Sequence, residues 1–124
     1  MRYLCLIHLD EQAMAELPHA EMNDLNVRHL ALNEELRRSG RLIEASALES
    51  SAKAVRLRVR DGRRSVVDGP FTETKELVAG FAIIEVPSMA EAIEWTKRFL
   101  SVVGRGESEI RLMHHVPAMV TFQG

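Results

Sequence analysis

The run Tyr3 to Leu9, YLCLIHL, constrains the fold more than any other stretch of the chain. It is β-rich and apolar on both sides of the pleat, the pattern of a central strand covered on both faces. The pattern then changes period. After Pro18, Met22, Leu25, His29, Leu32 and Leu36 recur at spacings of three and four, which makes one helical stripe. Gly40 supplies a left-handed stop. Arg41 to Leu48 and Ala54 to Arg60 read as strands, Asp61-Gly62 as a hairpin turn, and Ser65 to Val67 as the returning strand. Gly80 to Val86 is a further strand. Ser88, with Glu91 three residues later, opens a second helix through a capping box. Met89, Ala92, Ile93, Thr96, Phe99 and Leu100 form its apolar face. Gly104 and Gly106 end it, and Glu109 to Val116 is the last strand.

This order is a split βαβ pattern with an inserted hairpin. The fold class it predicts is α+β, ferredoxin-like: two helices on one face of an antiparallel sheet, in a single domain spanning residues 1–124. The other sheet face is left open. An apolar open face needs a cover, so a homodimer packed sheet to sheet is expected.

Composition narrows the function. Sixteen basic and eighteen acidic residues give a net charge of -2. The basic run Arg56, Arg58, Arg60, Arg63 and Arg64 lacks interleaved aromatic residues for base stacking, and it reads as a solvated strand face opposite Val55, Leu57 and Val59. Nucleic acid is not expected as a partner. One cysteine, Cys5, precludes an internal disulfide and suits a reducing compartment; inside an apolar run it is a small buried hydrophobe. The first apolar stretch is interrupted by His8 and Asp10 too early for a signal peptide or a membrane span. The expectation is a cytoplasmic chain with no membrane partner.

Asp68-Gly69-Pro70-Phe71-Thr72-Glu73-Thr74-Lys75-Glu76, followed by Gly80-Phe81, is the most unusual segment. Gly-Pro makes a rigid turn, Phe71 can anchor it, and ionisable groups crowd into a loop between two strands, where binding residues tend to sit. DGPFTETKE followed by GF resembles the signature of DGPF-domain proteins, a branch of the YCII-related family. The strand YLCLIHLDE, the LRRSG turn, the helix AEAIEWTKRF and EIRL in the last strand match in order, so the resemblance spans nearly the whole chain. It implies the dimeric α+β barrel type of ferredoxin-like fold, and a pocket where a histidine and an aspartate meet. Many such proteins are encoded near extracytoplasmic-function sigma factors, and relatives include a dehydrochlorinase, isomerases and monooxygenases. The family histidine lies on the first helix in a run resembling HLAYL, which His29-Leu30-Ala31-Leu32 matches. Asp68 is the corresponding candidate for the aspartate, although YCII proteins carry theirs in a different local motif. Ala79 stands where the family often has a second glycine.

Each candidate has two readings. His29, within an apolar stripe, is either a satisfied core histidine or a general acid–base, since imidazole titrates near working pH. Asp68 either orients that imidazole or closes its own turn. Glu73 and Lys75 form a loop ion pair, or Lys75 neutralises a substrate carboxylate. Arg111 in the last strand is a carboxylate partner or a surface residue, and His8 lines a pocket or is merely part-exposed. His114 and His115 point to opposite faces if in a strand and cannot share an ion. No zinc spacing, phosphate loop or dinucleotide fingerprint is present, so neither metal nor cofactor is expected. Two functions follow: a cofactor-free lyase or isomerase moving a proton on a small polar metabolite, or a non-catalytic ligand-binding or regulatory module.

Overall fold

The computed structural model describes the backbone of residues 1–68 and 76–114, with the side chains of 67, 68 and 76 set aside. The elements are β1 (Arg2–Asp10), α1 (Glu11–Ala15), α2 (His19–Arg38), β2 (Leu42–Ala47), a 3-10 turn (Ser51–Lys53), β3 (Val55–Arg60), β4 (Arg63–Asp68), β5 (Glu76–Glu85), α3 (Met89–Val103) and β6 (Glu107–Leu112). The main sheet has the order β2-β5-β1-β6, and every neighbouring pair is antiparallel. This is the ferredoxin-like arrangement, with the β3–β4 hairpin inserted between β2 and β5 as a separate two-stranded ladder.

Period-two alternation along β1 decides what faces the helices. Tyr3, Cys5 and Leu9 are buried. Cys5 Sγ lies 3.5 Å from Thr96 Oγ1 on α3, and the Thr96 hydroxyl is itself bonded to the Ala92 carbonyl at 2.8 Å. Burial pushes the Cys5 thiol pKa up, as befits an inert core residue. The opposite parity, Leu4, Leu6 and His8, is only half-buried, and no described helix lies over it. Among the described residues, the covering of β1 expected on both faces is thus supplied on one face.

On α2 the buried stripe is Leu25, Leu32 and Leu36, and on α3 it is Ala92, Thr96 and Phe99. The inner face of α3 is narrower than its sequence suggests, for Met89 and Ile93 are exposed. Leu32, Leu36 and Phe99 form the contact between the two helices. On the outside, Glu35 and Arg98 pair through two hydrogen bonds, and Arg98 stacks 4.8 Å above the Trp95 ring.

Local signals are realised closely. Ser88 Oγ accepts from the Glu91 amide at 3.3 Å, while the Glu91 carboxylate turns instead to Arg41 at 3.2 Å. Asp61 (φ 49°) and Gly62 (φ 76°) both take the left-handed region that a two-residue hairpin turn requires. Three differences stand out. The short helix α1 was not anticipated, although Asp10 caps it by accepting from the Ala13 amide at 3.1 Å. Strand β5 begins at Glu76 rather than Gly80, and β6 starts at Glu107 and ends at Leu112, residues beyond 114 lying outside the described part. On β3 the expected polarity is reversed: Arg56 and Arg58 are half-buried, whereas Val55, Leu57 and Val59 are 60–64% exposed. Among the described residues the hairpin hydrogen-bonds to no strand of the main sheet, and none of them forms a layer over its apolar face.

Leu36 is fully buried whereas Val27, on the same helix, is 64% exposed. Leu36→Ala is therefore expected to cost about 2–5 kcal/mol and Val27→Ala no more than about 0.5 kcal/mol, read by urea unfolding. Similar costs for the two would contradict the assignment of the α2 inner face.

Candidate functional site

The core is filled unevenly. Tyr3, Cys5, Ile84 and Val86 close one end of the sheet against α3. Toward the other end the sheet beneath α2 offers Ala45, Ala47, Ala79 and Gly80, and a cavity of about 510 Å³ opens above them. Two features of β5 maintain it. Ala79 is an extra residue between the partners of Ile7 and His8, a bulge whose carbonyl accepts from the Leu48 amide at 2.8 Å. At Gly80 the backbone of β2 comes so near that a Cβ would stand 2.9 Å from the Ser46 carbonyl oxygen.

His29 enters this cavity from α2, because it follows Leu25 by four residues and precedes Leu32 by three. Its ring lies 6.0 Å from that of Phe99, tilted by 32°. Burial removes water from the imidazolium and holds the His29 pKa below the ordinary histidine value, so the ring is neutral at pH 7. Asn26 and Asn33 lie three residues before and four after His29 and line the same wall. Asn33 Oδ1 is buried and accepts no hydrogen bond from any described residue. The remaining lining is largely apolar, with no Lys, Arg, Asp or Glu among the described residues. A neutral imidazole in such a setting can accept a proton from, or hydrogen-bond to, a ligand, and no described residue sets a fixed counter-charge beside it.

Of the described residues given a candidate catalytic or binding role from the sequence, His29 is the one placed in the cavity wall. His8 sits on β1 with the parity of Leu4 and Leu6, and Arg111 lies directly across from Leu4 on β6, so both project from the sheet face opposite the helices. The sheet separates them from His29. The backbone of Asp68 closes the hairpin ladder opposite Val55, while its side chain, Glu73 and Lys75 lie outside the described residues. His115 does also. Asn26 and Asn33 were not singled out, yet their helical spacing from His29 was a usable signal. Among the described residues no three His, Cys, Asp or Glu side chains gather into a metal-binding group, and no helix is long and apolar enough to cross a membrane.

The YCII-related domain model matches residues 1–111. The chain belongs to the YCII-related family. Within reach of this family member is an uncharacterized protein of Rhizobium meliloti (strain 1021), 32% identical over 101 residues that cover 78% of each chain. Among solved structures, it is similar to the 5-chloro-2-hydroxyhydroquinone dehydrochlorinase of Burkholderia phenoliruptrix AC1100 in complex with 2,5-dihydroxybenzoquinone. That likeness has a TM-score of 0.52 at 16% identity and covers 94% of this chain and 96% of the other. At such identity it shows a shared fold.

The His29 shift has a definite sign. Its folded-state pKa lies below the unfolded value of about 6.5, so its contribution to stability is complete above that pH and is lost as pH falls through the window beneath it. NMR titration should place the His29 midpoint below about 6.5, and His29→Gln should flatten part of the acid-side loss of stability. A midpoint at or above the ordinary value would mean that the ring is hydrated or paired with a carboxylate.

Proposed function

We propose that this YCII-related protein is a cofactor-free enzyme of the lyase or isomerase type, in which His29 transfers a proton on a small polar metabolite held in the cavity beneath α2. The observation that carries this reading is a half-buried imidazole, kept neutral by desolvation, in the wall of a cavity of about 510 Å³. A neutral imidazole is ready to act as a general base at pH 7 without first losing a proton. Removal of a proton next to a carbonyl, followed by elimination or by reprotonation elsewhere, is the reaction class that needs little beyond such a base and an enclosed site. The dehydrochlorinase with the same fold lends support, since its named reaction is an elimination on a hydroxylated ring. Asp68 is the proposed partner that would orient the imidazole and stabilise its protonated form, with Glu73 and Lys75 as further contributors to substrate binding.

The test is proton exchange. Hydroxylated chloroaromatics and small hydroxy-carbonyl compounds are incubated with the protein in deuterated buffer and followed by proton NMR for loss of carbon-bound hydrogen or of chloride. The wild-type chain should catalyse exchange or elimination for at least one compound, and His29→Ala should lower the rate by about 10²–10⁴-fold. Its acid limb should fall below pH of about 6.5. An identical rate in His29→Ala would sink the role of His29, and no turnover by either form would favour the alternative of a ligand-binding or regulatory module. One observation favours that alternative: no carboxylate lines the cavity among the described residues.

A homodimer is part of the same proposal. Leu4, Leu6, Phe81 and Ile83 share the sheet face that no described helix covers, and Val55, Leu57, Val59 and Val66 add an exposed apolar face on the hairpin. Apolar areas of this kind on a small protein call for a partner. Light scattering should give twice the chain mass for the wild type, and Leu6→Glu, which sets a carboxylate opposite Glu109, should give a monomer. A dimer that persists in Leu6→Glu would rule out packing through this face.

A further inference from the structure

We propose that Asn33 is the ligand-selecting residue of the cavity, and that the cavity takes an uncharged molecule whose hydroxyl group bonds to the Asn33 amide. This rests on the reading of the cavity as a ligand site, and not on catalysis there.

Three observations converge. Asn33 lines the cavity, and its Oδ1 is buried without accepting a hydrogen bond from any described residue. A buried amide oxygen without a donor is a costly feature, and in a helix that otherwise turns Leu25, Leu32 and Leu36 inward an apolar residue would fit the core better. The second observation is position. Asn33 stands one helical turn beyond His29 on the same wall, so a ligand touching the imidazole lies against the Asn33 side chain, and a turn of the amide about its last torsion presents the buried oxygen to it. A hydroxyl both donates and accepts, so it satisfies the amide whichever way the side chain is turned. The third is the absence of charge in the described lining. An anion placed there would lose its hydration with no cation among the described lining residues to replace it, since His29 is held neutral by its own desolvation. Selection by a buried, otherwise unpaired polar group is strong, since a ligand lacking the matching group leaves that group unpaired.

The experiment measures affinity by isothermal titration or ligand-observed NMR for three probes of one ring size: hydroquinone, p-xylene and 4-hydroxybenzoate. For the wild-type chain, hydroquinone should bind at least about tenfold more tightly than 4-hydroxybenzoate at pH 7, a margin of one lost charge-compatible contact. In Asn33→Leu the affinity for hydroquinone should drop about tenfold, while that for p-xylene is unchanged or rises. Asn33→Ser serves if the leucine variant does not fold, and should lower hydroquinone binding less. A readout on the wild type alone accompanies these: the Asn33 side-chain amide resonances should move on adding hydroquinone and stay in place with p-xylene. The proposal is overturned if Asn33→Leu weakens both probes equally, if 4-hydroxybenzoate binds as well as hydroquinone, if the amide resonances respond to neither, or if hydroquinone does not bind at millimolar concentration. The result is separable from the enzymatic reading. Hydroquinone selection without any proton exchange sinks catalysis and keeps Asn33 as the selector, whereas exchange without selection sinks only the role of Asn33.

Discussion

The pairing of β1 between β5 and β6 sets the parity of every strand in the main sheet. With Cys5 opposite Ala82 on one side and Ile110 on the other, the odd residues of β1 and their cross-strand neighbours meet the helices, and the even residues meet the open face. A slip of one residue would send Cys5 and Tyr3 outward and bring His8 and Leu6 under α3. The same parity divides the chemically interesting residues. His29 approaches from the helix side, and His8 and Arg111 are left on the far side of the sheet.

The cavity follows from residue size, together with the bulge at Ala79. Where the sheet carries Tyr3 and Ile84 the interior is filled, and where it carries Ala45, Ala47, Ala79 and Gly80 it is not. An unfilled volume in a core loses dispersion contacts and lowers stability. A row of polar residues beside it, His29 and Asn33 among them, adds desolvation cost. Features that weaken a fold in one place, surrounded by well-packed core elsewhere, are the expected mark of a site shaped for a ligand. Gly80 ties the cavity to the sheet itself, since a side chain there would collide with β2.

Much of the architecture was legible because its signals are local. Asp61-Gly62 makes the hairpin turn, Ser88 caps α3, and the spacing of Leu25, Leu32 and Leu36 marks the inner face of α2. These depend on backbone geometry within a few residues. The helix α1 was missed because five residues are too few to show a period, although Asp10 was a cap in plain view. The early start of β5 was missed because Glu76 and the residues after it pair with β1, a contact distant in sequence. The exposure of Val55, Leu57 and Val59 could not be read either. Alternation says that valines and arginines lie on opposite faces, and not which face has a layer to rest against.

For this protein the sequence by itself determined the order of the long helices and the main strands, the inner face of α2, the turn chemistry and the family, since periodicity, caps and motif are properties of neighbouring residues. His29 could be named from it as a candidate on an inward-facing stripe. Only the tertiary structure decided that the stripe overlooks a hollow rather than a filled core, because that depends on small residues of β2 and β5 that are remote from α2 in the chain. It also decided that Asn33 shares the hollow with its amide oxygen unpaired by any described residue, and that the sheet stands between His29 and both His8 and Arg111. Whether a polar group is satisfied, and how far an imidazole is desolvated, are sums over everything that packs around it, and those neighbours are assembled only by the fold.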